Sequence, residues 1–422
     1  MREDDGVKRW MIPVLLAAAC ETGRGGSNET AAAAGTFGYD TAFLRKHTEV
    51  IVLGRGAGRI AVAPAYQGRI MTSTTGGDAG PSFGWLNYPV IERGFLGEAE
   101  RKGRLEDHIY VLGGEERFWL GPEGGQFALY FAPGAKFEFD AWHTPAVIDT
   151  EPFETVAKTD EKACFRRDFE LTNYSGTRFK ARVERDVRVL GAGDLETCFG
   201  VKLSAAAKAV AYETDNRLSN RGTEPWTEQK GLLSIWLLGM YRPSAATTVV
   251  VPFRPGPEEV LGPKVNDAYF GKVPPEYLAV KNDVLFLKGD GTHRGKIGLS
   301  PARTRRIAGS YEAAQNVLTL VSCNAPEKPG RYVNSMWEIQ KNPFGGDVVN
   351  AYNDGSPAPG QPPLGPFYEL ETSSPGAALA PGETIRHVQR TLHVSAPRAE
   401  LDRIARDKLG AGLDEIVAAL PH

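Results

Sequence analysis

Cysteine is scarce in this chain. Cys20, Cys164, Cys198 and Cys323 are the four in 422 residues, and neither a Cys-x-x-Cys pair nor a histidine at ligand spacing accompanies them. That excludes a structural zinc site. The carboxylates show no EF-hand spacing either, so no metal is expected. Phosphate-binding glycine loops are missing, because the glycines of Arg55 to Gly58 are not followed by Gly-Lys-Ser/Thr. The absence of a Gly-x-Ser-x-Gly elbow removes the serine-hydrolase reading, and nothing calls for a cofactor. Basic charge is thin as well. A formal net charge of −3 without a dense Lys/Arg stripe cannot neutralise a phosphate backbone, so nucleic acid is not an expected partner. Long helical periodicities and fixed-period repeats are also lacking, which argues against a bundle, a solenoid or a propeller.

What is abundant is Gly, at 48, and Pro, at 29, in a chain that is 41% hydrophobic. That usage fits many short strands joined by turns. Val50 to Leu53, Ile60 to Pro64, Ala163 to Leu171, Phe179 to Leu190, Gly200 to Leu203, Val210 to Leu218, Leu232 to Leu238, Thr247 to Pro252, Val284 to Leu287, Val317 to Val321 and Ile385 to Val394 are apolar or alternating. The run Phe179 to Leu190 alternates apolar with charged residues, the pattern of a strand with one wet face. These strands predict an all-β fold of packed antiparallel sheets. The one helix expected is the tail, where Leu401, Ile404, Ala405 and Leu409 share a face before Gly410.

The N-terminus predicts export. Lys8 and Arg9 precede the apolar run Met11 to Ala19, which is too short to span a membrane, and small residues lead into Cys20. Leu-Ala-Ala-Ala-Cys resembles a bacterial lipobox. The expected layout is a signal peptide over residues 1–19, lipidation at Cys20, a flexible tether over 20–38, a folded body over 39–397 and a helical tail over 398–422. The protein would then be held in the cell envelope by a lipid anchor alone. In such an oxidising compartment Cys164 and Cys198 either pair or, with Cys323, remain buried thiols.

Two stretches carry candidate chemistry. In Phe367-Tyr-Glu-Leu-Glu-Thr-Ser-Ser-Pro375, Glu371 stands between a strand and a turn, where a rigid sheet can aim a general base into a cleft. Gly113 to Gln126 reads as a Gly/Pro-supported loop that gathers Glu115, Glu116, Arg117, Trp119 and Glu123. Carboxylates and guanidinium bond sugar hydroxyls, and an indole stacks on a sugar ring. Paired carboxylates also split acid and base roles, so Glu116 or Glu123 is a candidate proton donor. The competing reading is a surface loop with solvated Glu116 and Arg117 and a core Trp119. His108 and His143 flank this loop as candidate imidazoles or as hydrogen-bonded structural residues. Tyr352, Asn353 and Asp354 line the same rim or form a plain turn.

The segment Leu370-Glu-Thr-Ser-Ser-Pro375 with Pro381-Gly-Glu-Thr384 resembles the C-terminal segment of galactose mutarotases, the aldose 1-epimerases, in which a glutamate takes the proton from the anomeric hydroxyl. The resemblance assigns that role to Glu371. Pro64-Ala-Tyr-Gln-Gly-Arg-Ile70 resembles the strand whose arginine binds sugar hydroxyls, here Arg69, and Asn216 to Pro225 resembles the family's Thr-Asn-x-Gly-x-x-Pro turn. Asp267 would be the family's aspartate. The chain also resembles a family of bacterial lipoproteins bearing this domain. The resemblance implies a mutarotase-like supersandwich with carbohydrate on its concave face. The family's acid histidine is missing, since the strand after the turn carries Ser234 and Trp236. Two functions follow as expectations: an epimerase-like carbohydrate-active enzyme with Glu371 as base, or a glycan-binding surface lipoprotein in which Trp119 and Trp236 carry affinity.

Overall fold

The structure, a computed structural model, describes residues 32–421. It has the all-β architecture predicted by the alternating runs: antiparallel sheets of ten, five and three strands, with helices at the C-terminal end. The ten-stranded sheet runs, edge to edge, Leu278–Lys281, Val284–Lys288, Thr247–Pro252, Ile307–Glu312, Val317–Cys323, Thr384–Ser395, Lys208–Asn220, Arg178–Val189, Lys162–Thr172 and Glu154–Lys158. The five-stranded sheet runs Gly295–Leu299, Val349–Asn353, Tyr368–Ser373, Ser234–Tyr241 and Arg117–Gly121. Ile51–Arg55, Gly58–Ala63 and Arg69–Thr74 form the third sheet.

The period of two along each strand decides what each face buries. Val249 and Val251 of the long sheet, with Leu285, Leu287 and Val321, meet Ile297, Leu299, Ala351 and Leu370 of the five-stranded sheet. The hydroxyls of Tyr368 and Ser310 bond across that interface at 2.8 Å. Val250, one residue out of phase, faces the opposite way. With Phe286, Leu318, Leu320 and Leu392 it packs against the helix Arg398–Leu409, which buries the four residues expected to share a face. Gly410 ends that helix in the left-handed region at φ 75°, where a side chain would be strained.

Several local expectations are overturned. Gly113 to Gln126 is not one loop, because Arg117–Gly121 is an edge strand of the five-stranded sheet. Val349–Asn353 is likewise a strand rather than a turn. Both were concealed by the same cause: with each face buried, one against the core and one in a polar cluster, they lack the alternation of a half-wet strand. Gly200 to Leu203 is irregular chain after a helix, Ala192–Phe199, and a further helix spans Phe37–His47. The latter is capped by the Thr36 hydroxyl and buries Phe37, so a packed helix begins inside the stretch assigned to the tether. Cys164, Cys198 and Cys323 are free thiols. The signal segment and Cys20 lie outside the described residues.

Candidate functional site

Cross-strand pairing puts one set of side chains on the outer face of the five-stranded sheet. Lys296 pairs with Tyr352 and Tyr352 with Glu369. Asn350 pairs with Glu371, Glu371 with Leu238, and Leu238 with Arg117. Trp236 stands opposite both Ser373 and Trp119. Paired residues share a face, so Glu371, Glu369, Lys296, Asn350, Tyr352, Trp236, Arg117 and Trp119 form one polar and aromatic surface. It is covered, not open to solvent: Lys296, at 8%, is the most exposed of the eight.

Glu371 is at its centre and is fully buried. Its Oε2 accepts from the Lys296 ammonium at 2.9 Å and from the Trp236 indole N–H at 2.9 Å. Its Oε1 is buried with no protein partner. A buried, unpaired carboxylate oxygen is costly unless solvent or ligand completes it. The Lys296 ammonium also lies 4.7 Å from the Trp236 ring and 5.3 Å from that of Tyr269. A cavity of about 20 Å³, lined by Trp236, Tyr269, Lys296, Ser335, Asp347 and Asn350, adjoins the pair and has room for roughly one water. A larger depression of about 520 Å³ lies elsewhere, between Glu49, Pro64 and Phe153, and contains none of these groups.

Beside this pair, Arg117 donates to Glu369 at 2.7 Å and lies over the Trp119 ring at 4.1 Å. Burial pushes the Glu369 carboxyl up to about 8, Arg117 opposes the rise and Glu371 adds to it. Glu123 follows the strand Arg117–Gly121. Burial raises its pKa, and Lys296 and a hydrogen bond from Trp337 pull the other way. Asp347 is raised by burial and held by the Tyr269 hydroxyl at 2.7 Å and the Asn266 amide at 2.9 Å. Aromatic rings continue the surface from Trp236 to Trp119, Tyr130, Trp142 and Trp337, with centroid separations of 5.6, 5.4, 5.9 and 5.9 Å.

Arg69, on the three-stranded sheet, is buried next to this surface. It donates to the Gly113 carbonyl at 3.0 Å and to Gln67 Oε1 at 3.1 Å, and burial, then Arg117, pushes its pKa down to about 9. Asp149 faces both arginines. Its carboxyl is raised to about 7 by burial against their pull, and its Oδ1 has no partner. The Nε atoms of Arg69 and Arg117 and the indole N–H of Trp119 and Trp142 are buried without partners too. This concentration of unsatisfied donors marks a region completed by solvent or a ligand.

Not every residue singled out in the sequence belongs here. Glu116 immediately precedes the strand Arg117–Gly121, bridged to Ile70 in extended chain, and therefore faces the other way. Its carboxylate is sealed between sheets by Arg185 at 2.9 Å, Thr214 at 2.6 Å and Gln389 at 2.8 Å, so it is not the proton donor at Glu371. Glu115 is bound by Tyr212 and His393, each at 3.1 Å. His108 stacks on His143 at 4.8 Å and bonds the Trp142 carbonyl at 2.7 Å, a structural pairing. Asn266 and Tyr269, rather than Asp267, reach the site from their segment. Tyr352 is within it and donates to Asp354 at 2.6 Å.

Lys296, Glu369, Asp347 and Tyr269 were not singled out in the sequence. The one available signal was Glu369, two residues before Glu371 and hence on the same face of a strand. Lys296 is 75 residues from its partner, and no local pattern announces it. Among the described residues, no group of three or more His, Cys, Asp or Glu is placed to hold a metal ion.

Solved structures similar to this chain include a candidate aldose 1-epimerase from Escherichia coli K12 (TM-score 0.47, 13% identity, covering 83% of this chain and 99% of that one). A galactose mutarotase-like protein from Lactobacillus casei ATCC 334 is similar over 83% of this chain and 100% of its own (TM-score 0.43, 11% identity). A galactose mutarotase related enzyme from Lactobacillus acidophilus is similar over 83% and 97% (TM-score 0.41, 9% identity). No curated protein matches the sequence. Residues 35–420 match the family of unknown function DUF6786, and the chain belongs to that family.

Proposed function

We propose that this protein is a carbohydrate-active member of the aldose-epimerase-like group that binds a sugar on the outer face of the five-stranded sheet. In this reading Glu371 is the general base that takes the proton from the anomeric hydroxyl. The observation carrying it is the state of the Glu371 carboxylate: Oε2 is saturated by Lys296 and Trp236, whereas Oε1 is buried and free to accept. A hydroxyl bonding to Oε1 would satisfy the one unpaired oxygen and place its proton on a base. Trp119 and Trp236 supply ring faces for stacking, and Arg117 and Arg69 supply donors for hydroxyls. With about 20 Å³ of free space beside Lys296 and Trp236, sugar entry in this reading requires the segments lining that cavity around Tyr269 and Ser335 to move. We place the protein in the cell envelope, anchored through Cys20, on the strength of the Met11 to Cys20 pattern.

The test is NMR exchange spectroscopy of anomer interconversion for a panel of free aldoses and oligosaccharides, with the protein and with Glu371→Gln. Accelerated interconversion that Glu371→Gln abolishes supports the reading. Sugar binding without turnover, unaltered by the substitution, replaces it with the glycan-binding lipoprotein.

A further inference from the structure

We propose that Lys296 is the proton donor to the sugar's ring oxygen, acting beside Glu371; this rests on the epimerase-like reading of the site. Breaking the bond from the anomeric carbon to the ring oxygen requires a donor for the departing oxygen as well as a base for the hydroxyl. Both oxygens are attached to one carbon, so the donor and the base must be neighbours. The Lys296 ammonium is 2.9 Å from Glu371 Oε2. An ammonium has three N–H donors, and one on Oε2 leaves two for a ligand. Oε1 of Glu371 is unpaired at the same time. A sugar can therefore meet both groups without breaking their mutual bond.

The step balances within this pair. The hydroxyl proton passes to Glu371 Oε1 and the O–H electrons form the carbonyl at the anomeric carbon. The bond to the ring oxygen breaks, and that oxygen keeps the pair and takes a proton from Lys296. Glu371 is left as the acid and Lys296 as the amine. Ring closure on the other face returns both protons, and no further reactant is consumed.

Position favours Lys296 over Glu123, the other candidate donor nearby. Lys296 lies within a strand, touches Glu371 and lines the cavity, whereas Glu123 follows its strand and its backbone N–H is tied to Ser335 Oγ at 3.1 Å. The charged and titratable groups facing Lys296 are Glu371 and Glu369 from one strand, Glu123 after the edge strand, Asp347 before Val349–Asn353, and Tyr269. A positive charge is retained by arginine, which holds Glu371 but does not release a proton at working pH.

The experiment compares wild type, Lys296→Arg, Lys296→Met, Glu123→Gln and Glu371→Gln by anomer interconversion of free aldoses, with a thermal melt for each. The proposal expects Lys296→Arg to lose roughly 100- to 10,000-fold in kcat while KM is kept. Wild-type kcat in Lys296→Arg, with Glu371→Gln inactive, overturns the proposal and leaves the epimerase-like reading standing. Loss in Glu123→Gln but not in Lys296→Arg gives the donor role to Glu123. Absence of turnover by wild type on every aldose overturns both. If Lys296→Met does not melt cooperatively, Lys296→Arg decides.

Discussion

Replacing Glu116 by Gln should destabilise the protein without touching the chemistry at Glu371. Glu116 is fully buried, its oxygens accept from Thr214 and Gln389, and Arg185 faces it in an ion pair. Arg185 is itself fully buried, with its other donors on Asn216 at 2.7 Å and the Gly68 carbonyl at 3.1 Å. A glutamine leaves that guanidinium charge uncompensated and turns an amide N–H₂ toward groups that are donors. Breaking a buried ion pair from one side costs about 3–5 kcal/mol. For a body of some 390 residues the unfolding entropy near the midpoint is about 0.8 kcal/mol/K, so the melting temperature should fall by about 4–6 °C. Differential scanning calorimetry measures this, and anomer exchange or sugar titration well below the midpoint measures function. A melting temperature within a degree of wild type would refute the argument that this carboxylate is a structural counter-ion. Sugar response lost at unchanged stability would return Glu116 to the site.

Two other outcomes follow from particular groups. Burial, with Arg306 adding, holds the His387 imidazole down to about 3, and its Nε2 donates to the Thr372 hydroxyl at 2.8 Å, that hydroxyl being committed as donor to Gln389. A depressed pKa contributes stability that is present above the ordinary histidine value and is lost as pH falls toward 3. His387→Gln should remove about 3–5 kcal/mol of that loss. Urea melts at pH 7, 5 and 4 read it as the wild-type-minus-variant difference, and parallel pH dependences in the two proteins would refute it. Asp149 works in the opposite sense, since its raised carboxyl gives stability below the ordinary aspartate value that is lost as pH rises through about 7, but it is common to both proteins and cancels. Cys20→Ala should release the protein from the membrane fraction of an expressing bacterium, as judged by fractionation and immunoblotting; retention there would refute lipidation at that residue.

Sequence alone determined the class of fold and pointed to Glu371 as a candidate. Both rest on local patterns: alternation over Phe179 to Leu190 writes a strand with one wet face, the face shared by Leu401, Ile404, Ala405 and Leu409 writes a helix, and Glu371 stands out as a carboxylate between a strand and a turn, although the strand Tyr368–Ser373 runs through it. What surrounds Glu371 was decided by tertiary structure. Lys296 and Trp236 reach it from strands 75 and 135 residues away, and Asp347 fixes Tyr269 across 78. Glu116 and Arg117 make the point most sharply. Both were candidate site residues on one loop, yet Arg117 opens an edge strand and Glu116, just before it, is bridged to Ile70 in extended chain, which sends neighbours to opposite faces. One residue thus faces an inter-sheet ion pair and the next faces the candidate site. That choice depends on which sheet the strand joins and in which register, and those are set by long-range pairing that no window of sequence contains.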